Sequence, residues 1–259
     1  MNERKRYCTR LIGAAALAFA AIAPLSQSGE TANDEAAVER LRASMDYLAG
    51  LKRFALESTS TIEVVLEDGQ KLQFDNTIRG TVQRPDKFHA KRLGNLVDQE
   101  FFYNGKTLTL QDGKAGYHAT LAAPDTIDGM LNFARDSLDI VAPAGDFIYS
   151  DAFEMLMDGV ESAVHLGPSY VEGKVCDHLA FSAPAKGTDF QVWIQRGDKP
   201  LPRRIVITSR DILNAPQFAV HIRSWDVAPD IPSDLFEFDA EDSSTEIEFI
   251  VLNVNENQQ

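Results

Sequence analysis

The fold class is decided by residues 61–74, Thr-Ile-Glu-Val-Val-Leu-Glu-Asp-Gly-Gln-Lys-Leu-Gln-Phe. Polar and apolar side chains alternate on both sides of Asp68-Gly69, a dipeptide typical of tight β-hairpin turns. A two-residue turn joins only antiparallel neighbours. The stretch therefore predicts an antiparallel hairpin with one apolar face.

The same pattern continues along most of the chain. Turn dipeptides at Asn104-Gly105 and Asp112-Gly113 separate further alternating segments, and strands resume from Ser162 to Trp225. Periods of three and four residues predict helices, over residues 34–52, 124–138 and 151–158. We expect a mainly β protein with α-helices (α+β), in which twist curls a single antiparallel sheet and helices lie across its open side.

The first 28 residues predict a cleavable signal peptide. The uncharged run from Leu11 to Ala23 is too short to cross a bilayer as a helix. It is preceded by four basic residues, Arg4, Lys5, Arg6 and Arg10. We therefore expect export to the periplasm, a single domain over residues 29–252 and a frayed polar tail over residues 253–259. No later stretch of the sequence is apolar enough to span a membrane.

Charge excludes one class of partner. The full chain has 25 basic and 39 acidic side chains and a net charge of -14. The predicted signal peptide has a net charge of +3, so its removal would leave -17. Nucleic acids need a basic surface, and we expect no binding to them. The acidic surface should keep an exported protein soluble and monomeric.

Motifs for catalysis and for metal or cofactor binding are lacking in the sequence. It contains no G-x-S-x-G, P-loop, G-x-G-x-x-G or H-E-x-x-H pattern. Cys176 and His178 share a strand face, but two ligands do not make a zinc site. Removal of the signal peptide would take Cys8 away and leave Cys176 as a lone, buried thiol. We expect no enzyme activity, no cofactor and no metal site.

Several short motifs resemble known families. Residues 84–88 (RPDKF), 102–108 (FYNGKTL), 189–194 (DFQVWI) and 200–207 (PLPRRIVI) are similar to motifs of the LolA/LolB-like lipoprotein carrier superfamily. Residues 173–181 (GKVCDHLAF) and 215–218 (APQF) more closely resemble a bacterial family of predicted periplasmic proteins that forms a domain of unknown function. That second resemblance extends over most of residues 35–250.

The resemblance to the carriers implies a half-open antiparallel β-barrel with a helical lid. Members of that superfamily bind acyl chains, lipids or lipidated proteins without catalysing a reaction. A hydrophobic small molecule, a lipid or a lipoprotein is therefore the expected ligand. Helix 124–138 and the run Met155-Leu156-Met157 are the expected lid, because methionine packs adaptably against varied apolar surfaces.

Alternation along the strands places most of the candidate side chains on the expected ligand-binding face. The other two, Met130 and Phe133, belong to the expected lid. The candidate ligand-binding residues are Ile62, Val64, Leu66, Leu72, Phe74, Phe88, Met130, Phe133, Leu179, Phe181, Val192, Ile194, Phe218 and Val220. Alternation fits a ligand cavity, but it also fits a filled core, because buried strand faces are apolar in any sheet protein. With a filled core, the chain would instead be a module that transiently binds another envelope protein through a sheet edge or its acidic face.

Overall fold

The computed structural model describes residues 34–138, 140, 145–240 and 244–249. Twelve strands and three α-helices follow one another in these residues. Their order is α1 (Glu35–Gly50), β1 (Arg53–Val65), β2 (Lys71–Gln83), β3 (Lys87–Gly94), β4 (Asp98–Tyr103), β5 (Thr107–Asp112), β6 (Tyr117–Ala122), α2 (Ile127–Leu138), α3 (Ala152–Met157), β7 (Ser162–Val171), β8 (Lys174–Ala183), β9 (Thr188–Gln195), β10 (Pro202–Ser209), β11 (Gln217–Asp226) and β12 (Thr245–Glu246). Two 3₁₀ turns complete the list, at Gly145–Ile148 and Pro184–Lys186.

All twelve strands belong to one sheet. Its order is β12-β6-β5-β4-β3-β2-β1-β11-β10-β9-β8-β7, so that β11 returns to pair with β1. Every neighbouring pair is antiparallel except β12 and β6. Because β12 and β7 lie at opposite ends of this order, the sheet is open. The predicted fold class, mainly antiparallel β with a few helices, is confirmed.

Helix α1 covers one half of one sheet face, which we call the inner face. Asp34 caps the helix by accepting a hydrogen bond from the Ala36 amide at 3.0 Å, and its own amide donates to Ala163 O on β7. The apolar stripe of α1 packs on strands β7 to β9 in the larger hydrophobic core, which extends to β11. Its central members are Ala37, Leu41, Met45, Leu48, Leu179, Val192, Ile194, Ile205, Val220 and Ile222.

Helix α2 covers part of the other half of the inner face. Its buried side chains Ile127, Met130 and Ala134 pack against Phe54, Val82, Tyr103 and Leu108 in a second core. The Tyr103 hydroxyl donates to Pro124 O at 2.5 Å, which ties β4 to the segment that enters α2. Leu56 and Trp225 contact both cores and therefore connect them.

The opposite, outer face carries a C-terminal segment over β3 to β6. Phe238 packs its ring against Phe102 at 5.4 Å and against His118 at 4.8 Å. The amides of Thr245 and Ile247 donate to Gly116 O and His118 O, and this pairing forms the short β12. The segment thus covers both a sheet face and the edge of β6.

The predicted strand boundaries differ from the observed ones mainly in β1. Alternation predicts a strand from Thr61, whereas β1 begins at Arg53. None of the helices in the described residues is long and apolar enough to cross a membrane. The predicted signal peptide (1–28) and tail (253–259) lie outside the described residues, and the single domain over residues 29–252 stays a prediction.

Candidate functional site

A row of apolar side chains crosses six strands of the inner face. Strand register places its members directly opposite one another, and we call them the apolar row: Phe181, Phe190, Ile207, Phe218, Ile62 and Phe74. The rings of Phe181 and Phe190 stack with their centroids 4.7 Å apart. Val64 and Leu72 form the next rung beyond Ile62 and Phe74.

Exposure rises along this row from β8 toward β2. Phe181 is 3% exposed and Phe190 6% exposed, whereas the other four members are half-buried. Val64 is 42% exposed. The apolar row therefore begins within the core beneath α1 and ends at a part of the inner face that is open.

A cleft of about 260 Å³ adjoins the buried end of the row. Its apolar walls come from the inner face and from the segment that crosses it, and they consist of Phe147, Met155, Leu156, Phe190, Ile205 and Ile207. Met155 and Leu156 belong to the predicted lid, but Phe147, Ile205 and Ile207 were not among the predicted ligand residues. Ile205 and Ile207 lie two residues apart on β10, within the region from Ser162 to Trp225 where strands are predicted, so their shared face could have been inferred from the sequence.

The predicted ligand residues divide into three groups, and Phe133 stands apart from them. The larger core holds Leu179, Phe181, Val192, Ile194 and Val220. Met130 of α2 is buried in the second core, against which Phe88 packs. The open part of the inner face holds Ile62, Val64, Leu72 and Phe74, with Leu66 just beyond the end of β1, whereas the half-buried Phe218 packs against the larger core. Phe133 is half-buried on α2.

Charged side chains stand at the mouth of the cleft. Lys186 Nζ lies 2.6 Å from Asp158 Oδ2 in an exposed ion pair. Asp146 also lines the cleft, and burial raises the pKa of its carboxyl, although Arg135 and Lys186 act in the opposite direction. The cleft therefore has an apolar interior and a charged mouth.

Two polar side chains lie on the inner face next to the open end of the row. Asn76 follows Phe74 at the next inward position of β2 and is 6% exposed, and its Nδ2 atom has no hydrogen-bond partner among the described residues. Arg92 on β3 pairs in register with Ile78, which lies on the same face of β2. Burial lowers the pKa of the Arg92 guanidinium.

A buried ion cluster holds α1 against β8. Asp177 shares the inner face with Leu179, and its carboxylate lies 2.9 Å from Arg40 Nε of α1 and 2.6 Å from Arg196 Nη2. His165 Nε2 donates to the same carboxylate at 3.2 Å. Burial raises the pKa of Asp177, but the bonds from Arg196 and His165 outweigh it and hold the pKa below 3.8. Since these partners satisfy the carboxylate, the cluster is a clamp between helix and sheet.

Cys176 and His178 lie on the outer face. Cys176 is fully buried beside Val171, Trp193 and Val206. His178 stacks on Trp193 with ring centroids 4.0 Å apart and makes a hydrogen bond of 2.9 Å with Gln191 Oε1. In the described ranges, no three His, Cys, Asp or Glu side chains are grouped so that they could hold a metal ion.

Similar solved structures share little sequence with this chain. LprF from Mycobacterium bovis is 15% identical, with a TM-score of 0.48, and the match covers 76% of this chain and 96% of LprF. The lipoprotein LppX from Mycobacterium tuberculosis is 15% identical, with a TM-score of 0.44 and coverage of 77% and 99%. The Pseudomonas aeruginosa MucA/MucB complex contains a chain that is 12% identical, with a TM-score of 0.44 and coverage of 79% and 62%.

The family is shown by the sequence itself. No curated protein matches the chain. A family model described as "Predicted periplasmic protein (DUF2092)" matches residues 37–250, which is most of the chain. The motifs at residues 173–181 and 215–218 predict such a family, and its description confirms the predicted periplasmic location. The chain belongs to the DUF2092 family of predicted periplasmic proteins.

Proposed function

We propose that this protein is a periplasmic carrier or sensor that binds a hydrophobic ligand, a lipid or an acylated protein, on the inner face of its open sheet. In this proposal the sheet forms a half-barrel, and α2 with Met155–Met157 forms its lid. The protein acts as a monomer and performs no reaction.

The observation that carries the proposal is the continuity of the apolar row with the cleft. Ile207 lines the cleft and also belongs to the row, which continues through Phe218 and Ile62 to Phe74. Pockets for drug-sized ligands have volumes of about 300–1,000 Å³. The cleft is smaller, so it would hold one part of an extended chain, and the rest would lie along the row.

Burial of apolar surface supplies the binding free energy. Each 100 Å² of apolar surface removed from water contributes about 2.5 kcal/mol. The half-buried and exposed side chains at the open end offer such surface without rearrangement of either core. Movement of the segment around Met155 and Leu156 would widen the cleft, because methionine adapts to varied partners.

The test begins with native mass spectrometry of the protein purified from its own host, in which we expect a retained hydrophobic molecule. We also expect N-phenyl-1-naphthylamine, an uncharged fluorophore, to become fluorescent on binding and to be displaced by lipid. Val64→Asp places a charge on the open part of the inner face and should weaken probe binding at least tenfold. Leu213→Asp is the matched control, because Leu213 is 67% exposed in the turn before β11. The proposal would be contradicted if the purified protein retained no hydrophobic molecule and also failed to bind the probe.

One observation favours a second function, a module that binds another envelope protein. Strand β7 ends the sheet order, and its side chains Val164, Leu166 and Tyr170 are exposed, Tyr170 by 78%. An edge strand of this kind can pair with a strand from a partner. Tyr170→Lys should then abolish capture of a specific envelope protein while probe binding remains unchanged.

A further inference from the structure

Arg92 is an inward-facing cation with no counter-charge among the described residues. Its register partners are Ile78 on β2 and Gln99 on β4, and Phe88 lies on the same face four residues earlier in β3. No hydrogen bond or ion pair joins Arg92 to another described side chain, although it is partly desolvated. Some other described arginines have carboxylate partners, for example Arg40 with Asp177 and Arg79 with Glu57, and others use a backbone carbonyl or an aromatic ring, as Arg84 does with Ile148 O and Arg204 with Trp193.

Asn76 presents an unused donor close to Arg92. Asn76 pairs in register with Gly94, and Arg92 lies two residues before Gly94 on β3. Diagonal neighbours of this kind are about 7–8 Å apart between their Cα atoms, within joint reach of one ligand group. A Cβ at Gly94 would collide with Asn76 Oδ1, so the amide oxygen lies against the Gly94 backbone. The amide nitrogen is fully buried and has no hydrogen-bond partner among the described residues.

The two donors need an acceptor. A buried N–H group without a partner is unfavourable, and a desolvated guanidinium without one is more unfavourable still. Both costs disappear when an anionic oxygen accepts from the two groups at once. Because the full chain carries 39 acidic side chains, a carboxylate could easily have been placed beside Arg92, yet none pairs with it in the described ranges.

We propose that Arg92 and Asn76 form a head-group site for an amphiphile with an anionic oxygen, such as a carboxylate or a phosphate. The apolar row begins at Phe74, the inward-facing residue two positions before Asn76, so head group and acyl tail would lie side by side on one face. This inference rests on the proposed function and names its ligand class. Guanidinium and amide donors at this site disfavour a cationic head group.

The test compares ligands that share a tail. Dodecanoate, dodecanol and dodecylamine are used to displace N-phenyl-1-naphthylamine from the full-length mature protein. We expect dodecanoate to compete about tenfold better than dodecanol, and dodecylamine to compete less well than dodecanol. Lysophosphatidylglycerol with a dodecanoyl chain, compared with dodecanoate, separates a phosphate source from a carboxylate source, and lysophosphatidylcholine of the same chain length is the zwitterionic control.

Arg92→Gln should reduce the preference for dodecanoate over dodecanol to nearly one and leave the affinity for dodecanol unchanged. Asn76→Leu should lower the preference by a smaller factor. Arg79→Gln is the matched control, because Arg79 lies on β2 but on the outer face, paired with Glu57. It should keep the full preference.

Three outcomes would overturn the inference. Equal competition by all three dodecyl compounds would show that the head group is not recognised, although the proposed function would stand. A preference that survives in Arg92→Gln would place the head-group site elsewhere. Failure of the uncharged probe to bind at all would contradict the proposed function, and the head-group site with it.

Discussion

Arg40 on α1 and Asp177 on β8 face each other across the helix–sheet interface, with Nε and Oδ2 2.9 Å apart. Arg40 Nη2 also donates to Gln195 O on β9 at 2.6 Å, so that one side chain joins the helix to two strands. Most of the remaining α1 interface is apolar, apart from the buried Ser44 hydroxyl, which donates to Pro200 O at 2.6 Å. Because apolar contacts are not directional, polar contacts such as this ion pair fix the position of α1 along the inner face.

Asp177→Asn should destabilise the protein by about 3 kcal/mol at pH 7, because Arg40 and Arg196 lose a carboxylate that is largely buried. The folded-state pKa of Asp177 lies below 3.8, so its contribution is complete above that pH and is lost as the pH falls through the folded value. Urea denaturation at several pH values should show a difference between wild type and variant that shrinks below pH 3.8.

Asp189→Asn is the control for this prediction. Asp189 pairs with Arg210 at 3.2 Å, but both side chains are about two-fifths exposed. An exposed ion pair contributes at most about 1 kcal/mol. An equal loss of stability in the two variants would contradict the structural role given to Asp177.

The sequence predicts the sheet well because alternation is a local property. Prediction from alternation fails at the start of β1, where the inward-facing residues after Leu56 are Ser58 and Ser60, both 2% exposed. Buried serines interrupt the apolar pattern although the strand continues. The packing of Phe238 on the outer face could not be predicted either, because it depends on the chain returning from β11 to β4.

The candidate site is only partly predictable for a related reason. Alternation shows that Leu179 and Val64 both face inward, but it cannot show that α1 covers one and leaves the other exposed. Where a helix packs on a sheet depends on tertiary contacts, and alternation within a strand carries no information about those contacts. Arg92, in contrast, is in phase with Phe88 along β3, so its inward-facing position could have been inferred from alternation.

Leu179→Ala and Val64→Ala should separate the two halves of the inner face. Leu179 is fully buried, and its truncation should cost about 2–5 kcal/mol in the free energy of unfolding. Val64 is 42% exposed, and its truncation should change stability by less than about 0.5 kcal/mol. Urea denaturation measures the first effect, and titration with N-phenyl-1-naphthylamine should show weaker binding in Val64→Ala. Large destabilisation by Val64→Ala would mean that this end is packed core.

Phe238→Ala should loosen the C-terminal segment without disturbing the two cores. The half-buried ring contacts Phe102 and His118, and its loss should cost about 2 kcal/mol, roughly half the value for a fully buried phenylalanine. Hydrogen exchange should become faster at the Thr245 and Ile247 amides, which bond to the edge of β6. Amides in the β1–β2 pair should keep their protection.

Ile212→Ala is the control for the Phe238 prediction, since Ile212 is 53% exposed in a turn. Its exchange pattern should match the wild type. Uniformly faster exchange in Phe238→Ala would show that the segment belongs to the global folding unit rather than to a separable cover.

Cys176 should be chemically inert in the folded protein. Its side chain is fully buried on the outer face among Val171, Trp193 and Val206, and burial raises the pKa of its thiol, whereas the thiolate is the reactive form. A Cys8→Ser variant leaves Cys176 as the sole thiol of the chain. With 5,5′-dithiobis(2-nitrobenzoate), this variant should not react over an hour in buffer and should release one equivalent of thionitrobenzoate in 6 M guanidinium chloride.

The same reagent should label Cys176 in buffer after Val206→Ala opens the cluster, so that packing rather than the thiol itself is shown to limit the rate. Rapid labelling of the folded Cys8→Ser variant would mean that the outer face opens at Cys176 and that this cluster is not a core.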